Sequence, residues 1–294
     1  MRVDGIRRAA AAVGVAGTLA AGSLAAPAAG QDWTAEEIVE RAVARADEQR
    51  NTQADLLYRA TFESITEKLS GDGDVEDTER ATYEQYPLEG VIYEELVAQE
   101  GEPLTADDAR KERERRRDFV EEVRERRARG EDDPRPEDEN RVELNDDFIS
   151  RYQYSIVGEE QREGHDCWII QLVPRPGDLP VNRRIDTALN KSTGRLWIAK
   201  EDFGLSRVEF EMDEPVRFWG GIAGTLRNTV GRLQFLRTDE GAWVPKRIDI
   251  RLDLRIVFWN IRRRIVRDWD EYSLIPETDQ QTRALVFPSG RPAS

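Results

Sequence analysis

The chain is poor in the residues most catalysts use. It has 294 residues with one cysteine, one histidine and two methionines. A single cysteine forms no internal disulfide, and Cys167, between His165 and Trp168 at the start of an apolar run, reads as a small buried hydrophobe. A single histidine excludes multi-histidine metal sites and leaves any Ser-His arrangement dependent on His165, in the polar turn Glu163-Gly164-His165-Asp166. No phosphate loop occurs: Gly220-Gly221-Ile222-Ala223-Gly224 lacks a following Lys-Ser/Thr. Neither a cofactor nor a metal is implied. Positive charge is also short. The formal net charge is -15, which argues against nucleic acid and against simple attraction to anionic lipid.

Only one long apolar run is present. Arg2, Arg7 and Arg8 precede Ala9–Ala26, and small residues follow. This is the pattern of a cleavable secretory signal over 1–30, cut after Ala28 or Gly30, and it implies a periplasmic protein. The rival is an uncleaved anchor, but the run is alanine-rich and broken by Gly14, Gly17 and Gly22. Arg7-Arg8 leaves twin-arginine export open beside ordinary secretion. No cysteine follows the signal to carry a lipid anchor. Removing three arginines and one aspartate brings the mature chain to about -17.

Thr34-Ala35-Glu36-Glu37 has the form of a capping box, and Ile38, Val39, Ala42, Val43 and Ala46 follow at helical spacing, predicting a helix over 35–48. Strands are expected at 54–66, 75–86 and 91–99, separated by SGDGD and by Pro87–Gly90. A second helix is expected over 106–129. It is dense in Arg and Glu, with a narrow stripe of Phe119, Val120 and Val123. Residues 130–141 read as a polar loop.

The second half reads as sheet: a hairpin from 152–158 and 167–173, a further strand at 183–189, and the stretch TGRLWIAKEDFGLSRVEFEMDEPVRFWGG. In that stretch Val208, Phe210 and Met212 share one strand face, and Arg207, Glu209 and Glu211 the other. Strands at 232–238 and 243–256 follow. The alternation is cleanest where Ile248, Ile250, Leu252, Leu254, Ile256 and Phe258 oppose Asp249, Arg251, Asp253 and Arg255. The eleven residues from 248 to 258 would span roughly 36 Å, which suits a curved sheet or open barrel. Residues 261–274 close the set. The expected fold is α+β: a strongly curved antiparallel half-barrel of about nine to eleven strands, with helices covering its concave face. One domain, 31–276, would carry a charged helical insertion at 105–141 and a loose tail at 277–294.

What remains for function is apolar surface. Phe218-Trp219-Gly220-Gly221-Ile222 is nearly free of charge and reads either as core or as a rim segment touching lipid. Trp197, Trp243, Trp259 and Trp269 fall on expected strands, where tryptophan is core or lines a cavity.

The signal, the 35–48 helix, LLYRATFES, VGEEQREGHDCWIIQLVPRPG (157–177), TGRLWIAKEDFGLSRVEFEM and GAWVPKRIDIRL (241–252) together resemble the LolA/LolB-like superfamily of periplasmic lipoprotein carriers, including outer membrane lipoprotein-sorting proteins. The resemblance implies an open half-barrel whose apolar concavity holds acyl chains of lipid or lipoprotein. On that reading Phe210, Met212, Phe218, Trp219, Ile222, Leu252, Leu254 and Trp197 would bind lipid. Arg59 would match the early-strand arginine of the carriers' lipid switch. The insertion at 105–141 exceeds what compact carriers need. Two other readings stand beside the carrier: a non-enzymatic envelope sensor docking a protein partner through 106–129, and a carboxylate-based hydrolase. A monomer is expected.

Overall fold

The computed structural model describes residues 33–131, 133, 144–218, 224–256 and 259–276. The first helix, α1, runs Ala35–Thr52, one turn beyond the expected 48. Its start is the capping box read from the sequence. The Glu37 N–H donates to Thr34 Oγ1 at 3.2 Å, and the Thr34 N–H donates to Glu37 Oε2 at 2.9 Å, satisfying donors that helical bonding leaves free. Gln53 ends the helix in a left-handed conformation, φ 51°. Ile38, Val39, Ala42 and Val43 are buried.

Among the described residues, twelve strands form one antiparallel sheet: β1 Tyr58–Leu69, β2 Val75–Leu88, β3 Val91–Gln99, β4 Glu102–Pro103, β5 Tyr152–Arg162, β6 His165–Pro174, β7 Ser192–Ala199, β8 Leu205–Met212, β9 Val216–Phe218, β10 Gly224–Arg237, β11 Trp243–Ile256 and β12 Trp259–Leu274. Their order is β4-β3-β2-β1-β12-β11-β10-β8-β7-β6-β5, with β9 also pairing β10. Among the described residues β4 and β5 each pair on one side only, so the sheet is an unclosed α+β half-barrel. Three further helices are described: α2 Ala106–Ala128, α3 Asp146–Ser150 and α4 Arg184–Leu189.

Register assigns every side chain to one of two faces. Leu172, Gly194, Phe210, Gly231, Ile250, Ile265 and Thr66 form one row from β6 to β1. The next row is Gln171, Arg195, Glu209, Arg232, Asp249, Val266 and Ile65, and it points the other way. The first row lies on the face α1 covers. On β6 and β7 that face carries Ile170, Leu196 and Ile198, each 1% exposed or less. The opposite face of the same strands is occupied by a separate cluster of Cys167, Trp197, Ala199 and Trp243. The α1 side is called the inner face below.

α1 is pinned at its C-terminal half. Gln49 donates to the Trp243 carbonyl and accepts from the Trp243 N–H, both at 2.8 Å, and Arg45 donates to the Gly241 carbonyl at 2.7 Å. The 3-10 turn Ala54–Leu57 continues this cover over Tyr58, Ala242 and Val244.

The long charged helix sits on the outer face. Trp269 donates to Gln85 at 3.0 Å on the inner face, so Tyr86, next along β2, and its partner Tyr93 point outward. α2 packs there. The Phe119 ring is 4.9 Å from that of Tyr93, the Tyr93 hydroxyl donates to Glu112 at 2.8 Å, and the Arg115 guanidinium lies 4.8 Å over the ring. Burial, then the Glu112 carboxylate, push the Tyr93 hydroxyl above its ordinary range.

The strand expected at 183–189 is instead α4. The reason is an ion cluster that alternation cannot reveal. Asp186, fully buried, accepts from the Asn182 and Arg183 N–H groups at 2.9 Å each. It also lies 3.3 Å from buried Arg151. Arg151 donates further to the Pro180 carbonyl at 2.7 Å, to Asn190 at 2.9 Å and to Asp147 at 2.9 Å. Burial alone would raise the Asp186 pKa; the two N–H donors and the arginines outweigh it and hold the carboxyl below its ordinary value.

Asp186→Ala leaves buried Arg151 with Asp147 as its one carboxylate partner and orphans the Asn182 and Arg183 N–H groups; it is expected to cost about 1–3 kcal/mol in urea unfolding at pH 7. Because the folded pKa is depressed, the wild-type contribution is complete above the unfolded value near 4 and is lost as pH falls through the folded value. The unfolding midpoint of Asp186→Asn should therefore be lower at pH 7 and flatter below about pH 4. Equal acid slopes in the two proteins would contradict this.

Candidate functional site

Beyond the reach of α1, the inner face of the sheet is an apolar stripe. Along β11 it consists of Ile248, Ile250, Leu252 and Leu254, all half-buried. Across from them on β10 stand Leu233, Gly231, Thr229 and Leu226. On β12 the partners are Arg267, Ile265, Arg263 and Ile261. Val208 and Phe210 extend the stripe onto β8. From Ile248 to Leu254 it is about 20 Å long.

Gly231 is required at the centre of this stripe. A Cβ there would come within 2.2 Å of the Phe210 ring, so the ring lies directly over β10. Gly194, on the other side of Phe210, is equally tight: a Cβ would be 2.6 Å from the Glu209 carbonyl.

One end of the stripe has an aromatic floor. The Phe62 ring stacks on Tyr83 at 5.0 Å and lies against Trp269 at 4.9 Å. Arg267 stands 5.4 Å over Phe62 and is held by Glu94 at 3.3 Å. Beside this floor the Tyr58 hydroxyl is 2.7 Å from Thr238 and donates to Glu240 at 2.6 Å. Burial, and then Glu240, push it up to about 12. At the other end Ile256 is 39% exposed and Trp259 is 77% exposed.

The outer face of the same strands is polar. Arg264 forks onto Asp249 with bonds of 2.8 and 2.6 Å, holding that carboxyl below its ordinary value. Arg262 pairs Asp253 at 2.9 Å, and Arg232 pairs Glu209 at 2.8 Å. A hollow of about 510 Å³ on this face is lined by Gln171, Arg195, Glu209, Arg232, Asp249 and Arg251, among others. One strand thus carries a greasy face and an ion-paired face.

Of the residues expected to bind lipid, Phe210, Leu252 and Leu254 come together on the inner stripe. Met212 shares that face but is 5% exposed. Phe218 lies on β9, paired with Gly224. Trp219 and Ile222 lie outside the described residues. Trp197 stands on the outer face, 4% exposed, its indole N–H donating to Glu160 at 2.7 Å and Arg207 4.7 Å over its ring. Burial pulls Arg207 down to about 10. Arg59 also points outward, 5.5 Å over the Tyr86 ring beside α2. The sequence reading did not include Ile261 and Ile265 in the site. Arg263 and Arg267 share their face and break the apolar alternation that would have revealed them.

Cys167 and His165, the groups singled out earlier, sit in packing and ion-pair contacts. Burial raises the Cys167 thiol to about 11. His165 Nδ1 is 2.8 Å from Glu201, and its ring lies 5.3 Å from Trp243. Among the described residues no three His, Cys, Asp or Glu side chains are placed to hold a metal.

No protein-family model and no curated protein matches the chain. Solved structures do resemble it. A LolA superfamily protein from Nitrosomonas europaea is 14% identical over 84% of this chain and 96% of its own, with a TM-score of 0.32. A structure assigned as an outer membrane lipoprotein-sorting protein domain from Vibrio parahaemolyticus is 11% identical over 85% and 100%, with a TM-score of 0.33. The MucA/MucB complex of Pseudomonas aeruginosa matches at 10% identity over 85% and 96%, with a TM-score of 0.23. These likenesses are of fold, and at such identities and scores they bring no residue role to this chain.

Gly231→Ala should force Phe210 off β10 and lower stability by about 1–3 kcal/mol. Combined with Phe210→Ala, the glycine substitution should cost much less, a coupling read from a double-mutant cycle in urea. Additive losses would show that the ring does not depend on the glycine.

Proposed function

We propose that this protein is an exported, non-enzymatic carrier that holds acyl chains of lipid or lipoprotein along the inner face of its half-barrel. The observation that carries this reading is the half-buried apolar stripe of Ile248, Ile250, Leu252, Leu254, Ile261, Ile265 and Phe210. Each CH₂ of a bound chain taken from water contributes about 0.8 kcal/mol. Its polar groups are Thr229, Arg263 and Arg267, the last held by Glu94, and the rest is aliphatic or aromatic, so it suits a long featureless tail rather than a compact polar substrate. The face behind it is tied up in ion pairs, which keeps the sheet soluble there. The N-terminal arginines and the apolar run of residues 9–26 support export, and the carboxylate-rich composition suits an aqueous compartment. Sorting of lipoproteins to the outer membrane is the finer form of this reading.

A second reading rests on α2. Of its 23 residues only Glu112 and Val123 are buried, which leaves a long charged surface free for a protein partner. Charge reversal at Arg113, Arg117 and Arg124 would remove such a partner from an envelope pull-down and leave acyl binding unchanged.

The carrier reading is tested by uptake of a fluorescent fatty acid and by mass spectrometry of lipid extracted from the purified protein. Leu252→Asp with Leu254→Asp should weaken uptake at least tenfold, about 1.4 kcal/mol. Trp197→Phe should not change it. Lipid-free protein with no uptake would sink the carrier. N-terminal sequencing of the exported protein should begin at Ala29 or Gln31; an intact Met1 would argue for the anchor.

A further inference from the structure

The apolar stripe carries one charge that the protein itself leaves unanswered. β12 contributes four arginines, Arg262, Arg263, Arg264 and Arg267. Arg262 and Arg264 point outward, where Asp253 meets the first at 2.9 Å and Asp249 the second at 2.6 Å. Arg267 points inward, lies over the Phe62 ring and is held by Glu94 at 3.3 Å. Arg263 also points inward. It pairs across the sheet with Leu252 on one side and Lys68 on the other. It is exposed, and among the described residues no carboxylate comes within ion-pair distance of it.

An unpaired arginine on a polar surface is ordinary. Here Leu252 stands beside it, and Ile261 and Ile265 stand two residues before and after it on the same face. On the β1 side the carboxylates lie one strand further, on β2. Glu76 is bound to Lys68 at 2.9 Å, Asp77 is the cross-strand partner of Lys68, and Glu79 faces Thr66. Two strand spacings, about 10 Å, separate β2 from β12. The other polar groups of the stripe are closed to a ligand. The Thr229 hydroxyl oxygen is shut off from solvent, and Arg267 is already neutralised.

An alkyl tail lying on this stripe therefore brings its head to a cation with free donors. A guanidinium offers five N–H donors in a planar fork that fits the edge of a carboxylate or a phosphate. Covering the stripe with a tail also removes water from around Arg263, which strengthens its pull on an anion. An uncharged head would leave the same guanidinium partly desolvated with nothing to answer it. We infer that Arg263 is the headgroup anchor of the stripe, and that it selects an amphiphile with an anionic head, carboxylate or phosphate, over an uncharged acylglycerol. The tail lies on Leu252, Ile250 and Ile265. The anchor rests on the carrier reading and names the class of lipid carried.

The test uses the full mature protein and radiolabelled palmitate, hexadecyl phosphate and hexadecanol, probes of one chain length. The quantity read is the affinity ratio of each anion to the alcohol, in wild type and in Arg263→Gln. Because Arg263 is exposed and unpaired, this variant is expected to fold as the wild type does, and its retention of hexadecanol reports that directly. Arg263→Gln should lower both ratios about fivefold, and Arg263→Glu should lower them further. Lys68→Gln, which removes a charge already taken up by Glu76, should change them by less than about twofold. Inorganic phosphate should displace palmitate no better than chloride at equal ionic strength; better displacement would mark a free-anion site and overturn the anchor. Ratios that Arg263→Gln leaves unchanged overturn the anchor and leave the carrier. Retention of none of the three probes overturns the carrier reading and the anchor with it.

Discussion

The pairing register of β10, β11 and β12 is the constraint on which the rest depends. A slip of one residue along β11 would turn Arg251 and Asp253 inward and Leu252 and Leu254 outward. Both faces resist that slip. On the inner side Gly231 must lie beneath the Phe210 ring, because no other residue leaves room for it. On the outer side Asp249 must meet the Arg264 fork and Asp253 must meet Arg262. Half-exposed ion pairs contribute little to stability. Their use here is to make the wrong register costly.

Two helices then cover the sheet on opposite sides. α1 brings an apolar stripe and is locked by Gln49 and Arg45 to the turn before β11. α2 brings little, and it stays in place through Phe119 on Tyr93, buried Val123, the Tyr93 hydroxyl on Glu112, and Arg124 and Arg127 on Glu89. The unequal cover leaves the inner stripe accessible beyond α1, and it leaves most of α2 in water. Both functional readings grow from that inequality.

Much of the fold was legible because strand alternation and capping are local. Thr34 and Glu37 announced α1, and Ile248 to Leu254 announced the inner face of β11. Residues 183–189 were misread because α4 is decided by Asp186 meeting Arg151, 35 residues earlier in the chain. Trp197 was misplaced for a different reason. Leu196, Trp197 and Ile198 are all apolar, so their strand gives no sign of which face is which; both faces are buried there. Ile261 and Ile265 were hidden by Arg263 and Arg267. Arg267 can share the inner face because it is neutralised by Glu94, on a distant strand, and Arg263 because it is exposed to water.

The sequence by itself determined the elements other than α4, and the character of the faces wherever apolar and polar residues alternate, since these follow from the 3.6- and 2-residue periods of helix and strand. Tertiary structure decided which face α1 would cover, that the charged helix would take the other one, and that Phe210, Leu252 and Ile265 would form one surface. These are matters of pairing between segments far apart in the chain, and no period within a single segment encodes them.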